Sequence, residues 1–170
     1  MGEFSMALND DQVQLRDWIH TFAKDVVRPA AEEWDEREEF PWPIVEEAAQ
    51  IGLYSFDFMA QAMMGDPSGL TMPIALEELF WGDAGIGLSI FGSGLAAAGI
   101  AGIGTADQVM EWVPQCYGTP EKVALGAFCV SEPGISNASR SSPPNALTST
   151  TRAAMIATQP PTTRQGCVAH

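Results

Sequence analysis

Positive charge is scarce in this sequence: eight Lys and Arg stand against 22 Asp and Glu, a formal net charge of −14 with a pI near 4.2. So acidic a chain repels phosphate backbones and anionic headgroups, which argues against nucleic acid or an anionic membrane as partner. Cysteine is scarce too. Cys116, Cys129 and Cys167 show no metal-ligand spacing and leave an odd thiol out, so we expect a reducing, cytoplasmic setting, no disulfide and no metal site. Residues 1–20 carry acids and no apolar h-region, so no secretory signal is expected there. The last 36 residues lack any acid and any Phe, Trp or Tyr; the final acid is Glu132. What remains is Ser, Thr, Pro and Ala with Arg140, Arg152 and Arg164, which cannot bury enough apolar area to fold alone. Residues 135–170 are therefore expected to be a low-complexity tail, irregular or disordered.

What is present is mostly helical in period. A chain of 170 residues holds one domain with a real core and a second only if it is small. After a flexible stretch, residues 1–8, Asn9 is placed to cap a helix whose apolar face is Val13, Leu15, Trp18, Ile19, Phe22, Val26 and Val27. Pro29 should end that helix or start the next. His20 lies on it as a surface or boundary histidine, with no partner placed by the sequence. Six acids between Glu32 and Glu39 surround Trp34 and Arg37 and read as a solvated helix face, with a protein-docking surface as the sharper alternative. Ile44–Ile51 is a short helix stopped by Gly52. Met59, Met63 and Met64 read as flexible core filling before a Gly65–Gly69 loop, and Thr71 as the cap of a helix running to Phe80 or Trp81. Glu77 and Glu78 on that helix point about 100° apart, too divergent for an acid-base dyad, and suit a surface role or a salt bridge to another subunit.

From Ala84 to Gly104 no residue is charged, so a transmembrane reading has to be weighed. Seven glycines and the absence of Lys or Arg at either end favour a helix buried among close neighbours instead. Thr105 then follows as a helix start, and Val123–Val130 is an apolar run closed by Ser131-Glu132-Pro133-Gly134, which reads as a buried strand. A planar polar ligand could meet the hydroxyl of Ser131 where the chain leaves the sheet.

Taken in order, Glu77-Glu78-Leu79, Asp83-Ala84-Gly85, Gly104-Thr105, Gln108, Trp112, Pro114, Gly118, Gly126-Ala127-Phe128 and Ser131-Glu132-Pro133-Gly134 resemble the acyl-CoA dehydrogenase family. The resemblance covers roughly residues 7–134. It implies a mainly α fold: an N-terminal helical bundle domain over 9–118, an incomplete β-domain start over 119–134, and the tail beyond. It also implies a flavoprotein oxidoreductase of fatty-acid metabolism that desaturates an acyl-CoA thioester between Cα and Cβ with FAD, and homo-oligomeric relatives. Carried over residue by residue, Phe128, Cys129 and Val130 would run beneath the isoalloxazine and Ser131 would bond its edge and meet substrate. Gly87 and Phe91 would wall the acyl chain. No catalytic residue is assigned, because the family's glutamate base comes from a C-terminal domain without counterpart here. Where the family continues with Gly-Ser-Asp, this chain reads Ser136-Asn137-Ala138, and we expect an off-register tail from a frameshift or a truncated gene. Two other classes stand beside this one: an acidic helical interaction module without catalysis, and a small protein anchored in a membrane by residues 84–104.

Overall fold

The computed structural model describes residues 7–128 with their side chains and the backbone of residues 154–158. In chain order the elements are α1 (Asp10–Phe22), a π-helical turn (Ala23–Val27), α2 (Arg28–Arg37), α3 (Trp42–Gln50), α4 (Phe56–Ala60), a second π-helical turn (Gln61–Gly65) and α5 (Thr71–Gly82). There follow α6 (Ala84–Phe91), α7 (Ser93–Ile103), α8 (Ala106–Trp112), a 3-10 turn (Pro114–Cys116), and strands β1 (Gly118–Thr119), β2 (Lys122–Phe128) and β3 (Ala154–Thr158). The expected helical domain with a short β start is what forms. Two compact units arise, one of Met1–Ile44 with Met59–Ser89 and one of Val45–Phe58 with Ile90–His170.

In the first unit α1 starts at a capping box: the Asn9 side chain accepts from the Gln12 N–H at 2.8 Å, and the Gln12 amide oxygen accepts from the Asn9 N–H at 3.0 Å. Pro29 opens α2 without breaking the helical path. Its missing N–H and its ring would disrupt an ordinary turn, and the wider π-helical turn before it accommodates both. Ile19, Phe22, Ala23 and Val27 are buried and pack on α5, which buries Ile74, Ala75 and Leu79. Gly82 lets the helices approach, since a Cβ there would lie 3.0 Å from Val27 and 3.1 Å from the Ala23 carbonyl.

Three local expectations change. Met63 and Met64 stand out in solvent, Met64 81% exposed, because the second π-helical turn gives its inward position to Ala62. Thr71 is not the cap of α5: its N–H and hydroxyl both go to Asp66 Oδ2 at 2.8 Å, while Asp66 Oδ1 takes the Ser68 N–H and hydroxyl, so a side chain five residues earlier does the capping. Finally, Ala84–Ile103 is long and apolar enough to cross a membrane, with a mean hydropathy of 1.8, yet only 33% of its most apolar window is buried. The buried side carries Ile86, Gly87, Ile90, Phe91, Ser93, Ala96 and Ala97, whereas Leu88 and Leu95 face outward.

The Asp66 loop carries a pH dependence. Its carboxyl is held well below the usual carboxylate range, first by the Ser68 hydroxyl and then by the Thr71 N–H. A lowered folded value means that the stabilisation is full above the unfolded value of about 4 and is lost as pH falls below it. Asp66→Asn places an amide donor against the Thr71 N–H, so its melting temperature is expected to lie below that of the parent at pH 7. The gap should narrow progressively below about pH 4. A gap independent of pH would show that the carboxylate charge is not what organises the loop.

In the second unit Thr105 and Gln108 form a capping box at the start of α8. Gly118, at φ +72°, turns the chain into a hairpin in which Gly118 pairs with Val123 and Thr119 with Lys122. The sheet order is β1-β2-β3, and β3 runs antiparallel to β2 from Ala124↔Thr158 to Phe128↔Ala154. A strand inside the tail was not foreseen. It forms because backbone pairing along an open strand edge requires no long hydrophobic pattern in the partner.

Candidate functional site

The seat of β2 on α7 depends on small residues. A Cβ on Gly126 would lie 2.9 Å from the Cβ atoms of both Ala96 and Cys116, and one on Gly99 would lie 2.7 Å from the Phe128 ring. Glycine at these two places therefore brings strand backbone and aromatic ring against the helix. Above this contact lies a buried polar chain. The Gly126 N–H donates to Ser93 Oγ at 2.9 Å, and Ser93 Oγ is 2.6 Å from the Tyr54 hydroxyl. Tyr54 has one proton and two carbonyls within reach, Ala124 at 2.5 Å and Cys116 at 3.2 Å. The nearer carbonyl takes the proton, so the Ser93 hydroxyl donates to Tyr54 and the chain is satisfied throughout. Tyr54, α7, the 3-10 turn and β2 are thereby tied at one point.

Burial keeps these groups neutral. It pushes Tyr54 up to about 12 against the lowering effect of the Ser93 bond, and pushes the Cys116 thiol up to about 11. Tyr117 is raised further, first by burial and then by Tyr54, whose ring lies 5.4 Å away. None of the three can exchange protons usefully near neutrality, so this node is architectural and not an acid-base site. Tyr117 Oη is buried without any hydrogen-bond partner.

The residues that the resemblance singles out are placed as follows. Phe128 ends the described part of β2, exposed on one side with its ring over Gly99. Cys129, Val130 and Ser131 lie outside the described residues. Gly87 is buried, and the notch left by its missing side chain is filled by Phe80, whose Cδ1 would be 2.5 Å from a Cβ there. Phe91 is buried and stacks on Phe58 with ring centroids 6.3 Å apart. As a fit test for a flavin, the described stretch of β2 offers one aromatic ring at its end, Phe128, and a single charged side chain, Lys122, at its start. These residues do not hold an FAD by themselves.

One arrangement was beyond sequence reasoning. His20 Nδ1 lies 2.7 Å from Glu78 Oε2, and its ring lies tilted by 37° against Trp81 with centroids 4.5 Å apart, the Arg28 guanidinium also being 4.5 Å from the Trp81 ring. Glu78 thus has a partner within its own chain, where a surface role or a bridge to another subunit was expected. The two residues are 58 positions apart on α1 and α5, and no local pattern in either helix encodes their pairing. Among the described residues no group of three His, Cys, Asp or Glu is placed to hold a metal ion.

Comparison with known proteins locates the chain. Residues 9–118 match the family model described as acyl-CoA dehydrogenase, N-terminal domain. The chain is 31% identical over 134 residues to a probable medium-chain specific acyl-CoA dehydrogenase 2 of Caenorhabditis briggsae, covering 78% of this chain and 32% of that protein. It is 30% identical over 130 residues to an isobutyryl-CoA dehydrogenase of Dictyostelium discoideum, covering 76% and 30%. To a short-chain specific acyl-CoA dehydrogenase of Clostridium acetobutylicum it is 34% identical over 129 residues, covering 74% and 33%. The chain spans about a third of the length of these relatives. With the helices of residues 9–118 falling within that match, the chain belongs to the acyl-CoA dehydrogenase family through its N-terminal domain.

Proposed function

We propose that this chain is the N-terminal helical part of an FAD-dependent acyl-CoA dehydrogenase, acting on an acyl-CoA thioester in fatty-acid or related acyl catabolism, and that it does not turn over alone. The observation that carries this reading is the match of residues 9–118 to the family's N-terminal domain model. When bound, the flavin would accept hydride from the substrate's β-carbon. The part of the chain's own residues is to bind and exclude water. Phe128, Cys129 and Val130 would form an apolar floor under the isoalloxazine, Ser131 would bond its edge and approach the thioester, and Gly87 and Phe91 would wall the acyl group. The base that removes the α-proton, and the contacts that make an oligomer, would come from the remaining two thirds of the length that the relatives have. Their names span medium-chain, isobutyryl and short-chain thioesters, so the acyl class stays open among these.

The test is a comparison of two proteins. The 170-residue chain alone is expected to leave gel filtration with little or no flavin absorbance and to leave butyryl-CoA unoxidised with a dye acceptor. A chimera of residues 1–134 with the corresponding C-terminal part of the Clostridium acetobutylicum relative should regain FAD and activity. A well-folded chimera without flavin sinks the functional reading; turnover by the chain alone sinks the claim that the working parts lie elsewhere.

A further inference from the structure

On one edge of β2 the Ala124 N–H donates to the Tyr117 carbonyl, the Ala124 carbonyl accepts from Tyr54 and the Gly126 N–H donates to Ser93 Oγ, so it is the opposite edge, with the N–H and C=O groups of Leu125 and Ala127, that would otherwise stand unpaired. Such an edge is a template for another chain. Gly126 weakens the strand further, since glycine adds no side-chain packing of its own to a sheet. In this fold the edge is taken by Ala154–Thr158, antiparallel and in register over five residue pairs from Ala124↔Thr158 to Phe128↔Ala154; β3 also meets α7. The segment suits the task. Ala154-Met155-Ile156-Ala157-Thr158 is uncharged, and Pro160-Pro161 beyond it cannot donate to a ladder, which limits its length. Charge favours the return of the tail as well: three arginines and no acid follow residue 134, whereas all 22 acids precede it.

We infer that residues 154–158 are a built-in edge cap: the tail supplies the strand that β2 needs and keeps that edge from pairing with a second copy of the chain. Edge capping of this kind is independent of flavin binding. It also gives the tail a structural role that its composition alone does not suggest.

Proline in β3 tests it. Alternate residues of an edge-paired strand aim their N–H at the neighbour, so of Ile156→Pro and Ala157→Pro one removes a ladder bond and both strain the strand. Hydrogen exchange of the full chain, read residue by residue, is expected to show the Leu125 and Ala127 amides protected in the parent. These two should exchange about tenfold or more faster in the proline variant that loses the bond, with the Ala124 and Gly126 amides, held by Tyr117 and Ser93, and the α1 amides unchanged. Sedimentation of that variant should show self-association that the parent lacks. Where a proline variant also loses α1 protection, Ile156→Gly is read by the same comparison. Equal exchange of Leu125 and Ala127 in parent and variants overturns the inference. So does protection in the parent that rises with protein concentration, since the strand would then come from another copy.

Discussion

Gly126→Val is expected to be the most damaging single substitution in the second unit, costing about 3 kcal/mol by overpacking. The reason is that the intruding carbon has nowhere to go. Even its first atom would meet two side chains from different elements, Ala96 on α7 and Cys116 in the 3-10 turn, each at 2.9 Å. Both neighbours are wholly buried and neither is the flexible end of a long side chain. Relief therefore requires β2 to lift off α7, and lifting β2 draws the Gly126 N–H away from Ser93 Oγ. In thermal denaturation followed by circular dichroism the midpoint should fall by about 10 °C. Gly126→Ala should show a smaller fall of the same sign. An alanine variant melting with the parent would mean that strand and helix are not in the contact described.

Tyr54→Phe is expected to cost about 2 kcal/mol, because it deletes the one group that satisfies the Ala124 carbonyl and the Ser93 hydroxyl together. Its neighbour gives the opposite sign. Tyr117 is equally buried, but its hydroxyl has no partner, so Tyr117→Phe removes a desolvated polar atom at almost no loss of packing. That change should raise stability by about 1 kcal/mol. Two Tyr→Phe substitutions with rings 5.4 Å apart thus move the melting temperature in opposite directions. A common direction would show that ring packing, and not hydroxyl satisfaction, governs this node.

Both results turn on a distinction that runs through the molecule. Position 126 looks like any glycine in an apolar run, and Tyr54 and Ser93 look like ordinary residues of a helix-rich chain. Their importance comes from meeting across long separations, 39 residues for Tyr54 with Ser93 and 33 for Ser93 with Gly126. Sequence periodicity reports which face of an element is apolar; it does not report what that face touches. Gly87 and Phe91 illustrate the same limit. Their place on an apolar helix is legible, while the Phe80 ring lodged at Gly87 and the Phe58 ring beside Phe91 are not.

The amino-acid sequence by itself determined the helical domain, its caps at Asn9 and Thr105, the apolar run that becomes β2, and the family to which residues 9–118 belong. These are local matters, set by side-chain period, by capping hydrogen bonds a few residues long and by short motifs in order. Tertiary structure alone decided that Glu78 holds His20, that Tyr54 ties β2 to α7, that Met63 and Met64 stand in solvent and that a piece of the tail closes the sheet. Each of these depends on which distant groups are brought within hydrogen-bonding or van der Waals reach, and on which face a turn happens to expose. Such placements follow from packing the elements together and not from the pattern within any one of them.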